Sequence, residues 1–108
     1  DFVPIKIVDV LTSRIDRGST AVKWTIEGDV DKIDHFVVLK ESLGHSRVVG
    51  KMHNVSPGKS FEFFDRIVPD DIGEISYRVV PVLNTFAHGT DVVSNKLEIL
   101  DPRVASGG

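Results

Sequence analysis

The sequence predicts an all-β sandwich of seven antiparallel strands, and three observations support this. Short apolar stretches follow one another along the chain, turn-forming residues separate them, and no stretch has a convincing helical period. The stretch Glu74–Val82 is largely apolar on both alternating sets of side chains, as expected of a strand in the middle of a sheet. We therefore expect this strand to lie at the centre of one of two packed layers.

The remaining strands follow from the same alternation. Pro4 has no amide donor, which places the first strand at a sheet edge. The third strand is apolar on both sets of side chains, like the sixth, so we expect the two to be neighbours. Between the first two strands, Thr12–Ser19 is predicted to be a polar connection. The predicted strands are Val3–Leu11, Thr20–Glu27, His35–Glu41, Ser46–His53, Ser60–Asp65, Glu74–Val82 and Val92–Leu100.

Length and charge limit the possible functions. A chain of 108 residues makes one domain, which we expect to span residues 1–101, with 102–108 as a linker or tail. The net charge of −3 leaves no basic excess, so we do not expect nucleic acid as a partner. There is no cysteine, which excludes disulfides and thiolate metal sites. No apolar run is long enough for this segment to insert into a membrane.

The order of several residues resembles a fibronectin type III domain, a module of larger multidomain proteins. The sixth strand holds a Tyr-x-Val-x-x-Val pattern in Tyr77–Val82. The other matching positions are Trp24, Phe36, Asn84, Gly89 and Ser94. The resemblance implies a seven-stranded immunoglobulin-like β-sandwich of fibronectin type III topology. It also implies that the Tyr77 hydroxyl bonds to backbone upstream, within residues 67–71.

Alternation along the third and sixth strands predicts one buried face and one outward face. The predicted structural core is Trp24, Phe36, Val38, Tyr77 and Val79. The predicted protein interface on the outward face is Val37, Leu39, Val80 and Val82. Such an apolar patch is typical of a contact surface. The alternative is that a flanking loop or the long stems of Arg78 and Lys40 cover it.

No set of residues predicts catalysis or a cofactor. His45 and His53 bracket one strand and would lie ~27 Å apart, too far to share a metal ion. We therefore predict no metal site from histidine. Asp29, Asp31 and Asp34 form an acidic loop that fails the EF-hand spacing and leaves a looser calcium site open.

One modification motif is present. Asn54 begins the sequence Asn-Val-Ser, which is a possible N-glycosylation site. Pro57 follows it directly and is expected to hinder its use.

Together these features predict a non-catalytic protein-interaction or spacer module. The resemblance implies a multidomain adhesion, receptor or extracellular matrix protein, and hence a place outside the cell or at its surface. The expected partner is another protein or a neighbouring module of the same chain. Two alternatives stay open: an accessory domain of a secreted enzyme, and a structural module of an intracellular scaffold or of a viral or phage particle.

Overall fold

The chain folds into two antiparallel sheets, seen in a computed structural model that describes residues 5–28, 30–53, 59–85, 89 and 92–99. Single 3-10 turns lie at Val30–Lys32 and Pro69–Asp71, and no helix in the described residues is long and apolar enough to cross a membrane. The strands are β1 (Lys6–Asp16), β2 (Ser19–Glu27), β3 (Ile33–Ser42), β4 (His45–His53), β5 (Ser60–Arg66), β6 (Gly73–Leu83), β7 (Val92–Val93) and β8 (Leu97–Ile99).

The strand order places β6 in the centre of the larger sheet. One sheet has the order β1-β2-β5, and the other has the order β4-β3-β6-β7, with β8 also paired to β6. β3 pairs with β6 from Ile33 opposite Leu83 to Ser42 opposite Ile75, so the predicted neighbours are neighbours. The prediction of an all-β sandwich with two antiparallel layers is confirmed.

The first strand is longer than predicted, because its polar half stays paired. Arg14 lies opposite Thr20, within the segment that the sequence predicted to be a connection. Thr12 is buried, and its hydroxyl donates to the carbonyl of Ala21 over 3.0 Å. The polar residues of this segment therefore satisfy the β1–β2 ladder, and only Arg17 and Gly18 form the turn.

The predicted last strand is divided into β7 and β8 by Ser94 to Lys96. The Ser94 amide donates to the Tyr77 carbonyl over 2.7 Å, and the Tyr77 amide donates to the Ser94 hydroxyl over 3.0 Å. A side-chain oxygen thus replaces the carbonyl of a regular ladder. Asn95 then bonds both the amide and the carbonyl of Thr12, over 2.8 and 3.1 Å, and ties this interruption to β1 in the other sheet.

Pro81 has no amide donor, so a bulge or an end to the pairing of β6 is expected there. It nevertheless keeps its place opposite Phe36 in the pairing with β3, and the described pairs of β6 with β7 are Arg78 with Val93 and Val79 with Val92. The Pro81 carbonyl accepts a bond of 2.8 Å from the amide of Gly89. In an antiparallel strand, the carbonyl and amide of one residue face the same neighbour. The missing N–H therefore lies on the side of Gly89, away from β3, and does not interrupt the β3–β6 pairing.

Aromatic side chains from both sheets fill the middle of the sandwich. Trp24 of β2 stacks on Phe61 of β5, with ring centroids 6.0 Å apart. Phe36 of β3 approaches Trp24 edge-on at 5.3 Å and Phe61 at 4.7 Å. Trp24 is 1% exposed and Phe36 is fully buried, and so are Val38, Tyr77 and Val79. The residues proposed as core thus lie in one interior, shared by the two layers.

One prediction concerns Gly50 in β4. A Cβ atom at Gly50 would collide with the ring of Phe63 in the opposite sheet, so the two layers meet there and the ring would have to move to admit a methyl group. We expect Gly50→Ala to lower the free energy of unfolding by ~1–3 kcal/mol, the usual cost of overpacking. Urea unfolding measures this value. Gly18→Ala is the matched control, because its Cβ would meet only Asp16 Oδ1 at 3.9 Å. Equal stability of the two variants would contradict this contact.

Candidate functional site

The outward surface of the larger sheet is the candidate interaction surface. Along β3, Phe36 and Val38 are buried, whereas Val37 and Leu39, which alternate with them, are half-buried and face outward. Val37 lies opposite Val80 of β6, which is also half-buried. Three of the four predicted interface residues therefore share one accessible face.

Two further valines extend this surface to the outer strands. Val48 of β4 lies opposite Leu39 and is 56% exposed. Val93 of β7 lies opposite Arg78 and is 43% exposed. We call the surface formed by these residues the outer valine face. It consists of Val37, Leu39, Val48, Val80 and Val93.

An ion pair divides the outer valine face. Arg78 of β6 lies opposite Leu39, and its Nη2 is 3.2 Å from each carboxylate oxygen of Glu41. Both side chains remain about one-third exposed, at 34% and 30%. Screening by water keeps such a pair worth less than about 1 kcal/mol. The guanidinium adds a polar centre to the aliphatic row, and the exposed Lys51 of β4 lies opposite Val37 on the same face. The face therefore combines apolar area with the Arg78–Glu41 pair and one further cation.

Val82 does not belong to this surface, although the sequence predicted it there. It lies opposite His35 in the pairing with β3, on the same alternating set as Val80. It is nevertheless only 4% exposed, so it offers almost no area to a partner. The expectation that Val82 contacts a partner is therefore wrong for the structure described.

Lys40 also departs from expectation, because its side chain points inward instead of covering the outer valine face. It is 2% exposed and belongs to the same alternating set as Phe36 and Val38. Its Nζ lies 2.6 Å from Asp65 Oδ2 and 2.7 Å from Asp71 Oδ2, and it donates to the Arg66 carbonyl over 3.0 Å. These three contacts use all three donors of the ammonium group.

Asp71 is fully buried and closes the other side of this network. Its Oδ2 accepts a bond of 2.9 Å from the Val68 amide, which fixes the 3-10 turn, and its Oδ1 lies 3.3 Å from Arg47 Nη2. The positive charges of Lys40 and Arg47 thus balance the carboxylates of Asp65 and Asp71. A buried charge is tolerated only with such pairing.

Tyr77 joins the same network through its side chain. Its hydroxyl donates to Asp65 Oδ2 over 2.7 Å and lies 2.7 Å from the Thr20 hydroxyl. The predicted bond to backbone within residues 67–71 is therefore replaced by two side-chain partners. Burial above all, together with the nearby Asp65, raises the pKa of the Tyr77 phenol far above its usual range. The phenol stays protonated, and since its one proton serves Asp65, Thr20 is the donor to Tyr77.

The structure also brings His53 of β4 close to Asp34 and His35 of β3. His35 of β3 lies opposite His53 of β4, with ring centroids 5.6 Å apart. Asp34 Oδ2 is 2.8 Å from His35 Nδ1. One possible ligand atom from each of the three lies within 4.8 Å of the others. His45, at the far end of β4, belongs to no such group among the described residues.

Two other predicted sites include residues outside the described part of the chain. Asp31 lies in the exposed 3-10 turn, and Asp34 contacts His35 instead of forming an acidic cluster with it in the described part of the chain. Asp29 and Asn54 lie outside the described residues, so the calcium and glycosylation predictions that involve them stay predictions.

Comparison with known proteins supports the fold alone. No protein-family model matches the chain, and no curated protein matches significantly. The structure is similar to that of the sensor domain of the anti-sigma factor RsgI4 from Pseudobacteroides cellulosolvens, with a TM-score of 0.55 and 13% sequence identity. The match covers 90% of this chain and 95% of that one.

Removal of the Tyr77 hydroxyl is predicted to destabilise the fold. Tyr77→Phe removes a donor to a carboxylate and leaves the Thr20 hydroxyl without its acceptor, so we expect the free energy of unfolding to fall by ~1–3 kcal/mol. Chemical denaturation measures this loss. Thr20→Val is the control: it keeps the bond between Tyr77 and Asp65 and should cost only about 0.5–1.5 kcal/mol. A Tyr77→Phe variant as stable as the wild type would contradict the assigned network.

Proposed function

We propose that this domain is a non-catalytic protein-interaction and spacer module of the fibronectin type III kind, carried by a multidomain adhesion, receptor or matrix protein. The observation that supports it best is the outer valine face, which runs across β4, β3, β6 and β7. Its exposed members, Val48 at 56% and Val93 at 43%, present branched aliphatic surface to solvent at opposite sides of the sheet. Contiguous apolar surface of this kind is typical of contact sites.

The strand order supports the proposed kinship with fibronectin type III domains. The first, second and fifth strands form one layer, and the third, fourth and sixth strands lie in the other. β7 and β8 both pair antiparallel with β6. We interpret them as two halves of one last strand that Ser94 to Lys96 interrupts. This interpretation reduces the eight strands to the seven of the proposed topology.

The chemistry of the face indicates the kind of partner. Apolar side chains share the face with the Arg78–Glu41 pair and with Lys51, so a complementary surface needs both apolar and polar groups. A neighbouring β-sandwich module or a second protein provides such a surface, whereas nucleic acid does not. The proposed location is the cell exterior or surface, as the resemblance implies.

A sensory role is the second candidate. The similar RsgI4 domain is a sensor domain, and the two folds correspond over most of both chains. In that case, the same sandwich would present a recognition surface to a signal instead of a neighbouring module.

The experiment that tests the proposed function places charges on the outer valine face. Leu39→Lys with Val80→Glu should abolish association and leave the monomer folded, because burying an unpaired charge in a contact is costly. Sedimentation velocity over a wide concentration range detects self-association, and cross-linking followed by mass spectrometry detects other partners. Circular dichroism and thermal unfolding establish that the variant still folds.

The matched control carries the same two charge types on the other sheet. Leu11→Lys with Phe64→Glu alters two exposed apolar residues of β1 and β5, each 61% exposed. Association retained by this control but lost by the Leu39/Val80 variant supports the proposal. A wild type that stays monomeric and cross-links to the same proteins as both variants would refute it.

A further inference from the structure

Asp34, His35 and His53 form a second feature of the surface, at the end of the β3–β4 hairpin far from its turn. Imidazole nitrogen and carboxylate oxygen are the ligands that zinc takes most readily in a site without thiolates. Because cysteine is absent from the chain, a transition-metal site here must use such donors, and the described residues bring three of them together at this point.

A bulge in β4 brings the two histidines together. Leu39 pairs with Val48, but the next residue of β3, Val38, pairs with Gly50, so Val49 is extra in β4. This extra residue shifts the register by one position beyond it. His35 consequently lies opposite His53 instead of Met52.

A second bulge adds the carboxylate. Ile33 pairs with Leu83 and His35 pairs with Val82, so Asp34 is extra in β3 relative to β6. In a regular strand, Asp34 and His35 would point to opposite faces of the sheet. The bulge instead lets Asp34 Oδ2 approach His35 Nδ1 to 2.8 Å.

Distances and exposure suit an open metal site. Tetrahedral zinc with bonds of ~2.1 Å places neighbouring ligand atoms roughly 3.4 Å apart. The atoms available here lie within 4.8 Å of one another, so they must approach by up to ~1.4 Å to hold an ion. His53 is exposed and ends the edge strand β4, which gives its ring room to turn. Asp34 is 43% exposed at its side chain, so a water molecule can reach the fourth position.

We propose that Asp34, His35 and His53 bind one divalent transition-metal ion of the zinc class, with a water as the fourth ligand. In the bound form, the ion takes the place of the proton shared by Asp34 and His35, and it joins β3 to the end of β4. This inference does not rest on the outer valine face, although His35 precedes Val37 on the outward set of β3. Zinc binding is therefore tested on the chain alone, without a partner.

Isothermal titration of the chain with zinc at neutral pH tests the proposal. We expect one ion per chain, and we expect His35→Gln, His53→Gln and Asp34→Asn each to weaken binding at least about tenfold. His45→Gln is the matched control, because it removes a histidine at the other end of the same strand and should leave the affinity unchanged. Calcium should not bind, because it prefers sets made only of oxygen.

A second measurement requires no variant. In imidazole nitrogen–proton correlation spectra of the wild type, zinc should shift the ring signals of His35 and His53 and leave those of His45 in place. No saturable binding up to millimolar zinc would overturn the proposal. So would equal affinity in the wild type and in folded His53→Gln, or a zinc-induced shift confined to other histidines.

Discussion

The ammonium group of Lys40, buried between the two sheets, is the constraint on which the rest of the structure depends. An ammonium group without partners in a protein interior costs several kcal/mol, so its surroundings must supply acceptors. Asp65 from the opposite sheet, Asp71 from the 3-10 turn and the Arg66 carbonyl supply them at 2.6, 2.7 and 3.0 Å. The connection between β5 and β6 is consequently fixed by charge as well as by chain geometry.

This network divides the interior into two regions with different chemistry. In the aromatic region, Trp24, Phe36 and Phe61 hold the layers together by apolar contact. In the polar region, Tyr77 and Lys40 of the larger sheet bond to side chains of the smaller one. Both regions anchor β3 and β6 from the inside. Because side chains alternate along a strand, the same anchoring determines which residues form the outer valine face.

Alternation made a large part of this arrangement predictable from sequence. It identified β6 as central, β3 as its neighbour, and Phe36 and Val38 as residues of the buried set of β3. The same alternation places Lys40 two residues after Val38, in the buried set of β3. Sequence alone places Lys40 at the surface, because a charged side chain is rarely buried. Its buried partners, Asp65 and Asp71, are distant in sequence, so no local pattern indicates the pairing.

The features that escaped prediction depend on events that alternation does not encode. A bulge at Val49 sets the register that joins His35 to His53, and a bulge at Asp34 brings the carboxylate to them. Gly50 beside the first bulge is a local signal that could have indicated it. The partners of Tyr77 depend on how the sheets face each other. The division of the last strand depends on the Ser94 hydroxyl, which competes with a carbonyl for the Tyr77 amide.

A double-mutant cycle between Lys40 and Asp71 tests the central constraint most directly. Lys40→Met and Asp71→Asn are each made alone and then together, and the free energy of unfolding is measured in urea. If the charge network governs the fold, each single change costs about 3–5 kcal/mol, because it leaves a partner buried without compensation. The double variant then costs less than the sum, with a coupling of at least about 1 kcal/mol. Small single losses that simply add in the double variant would contradict this account.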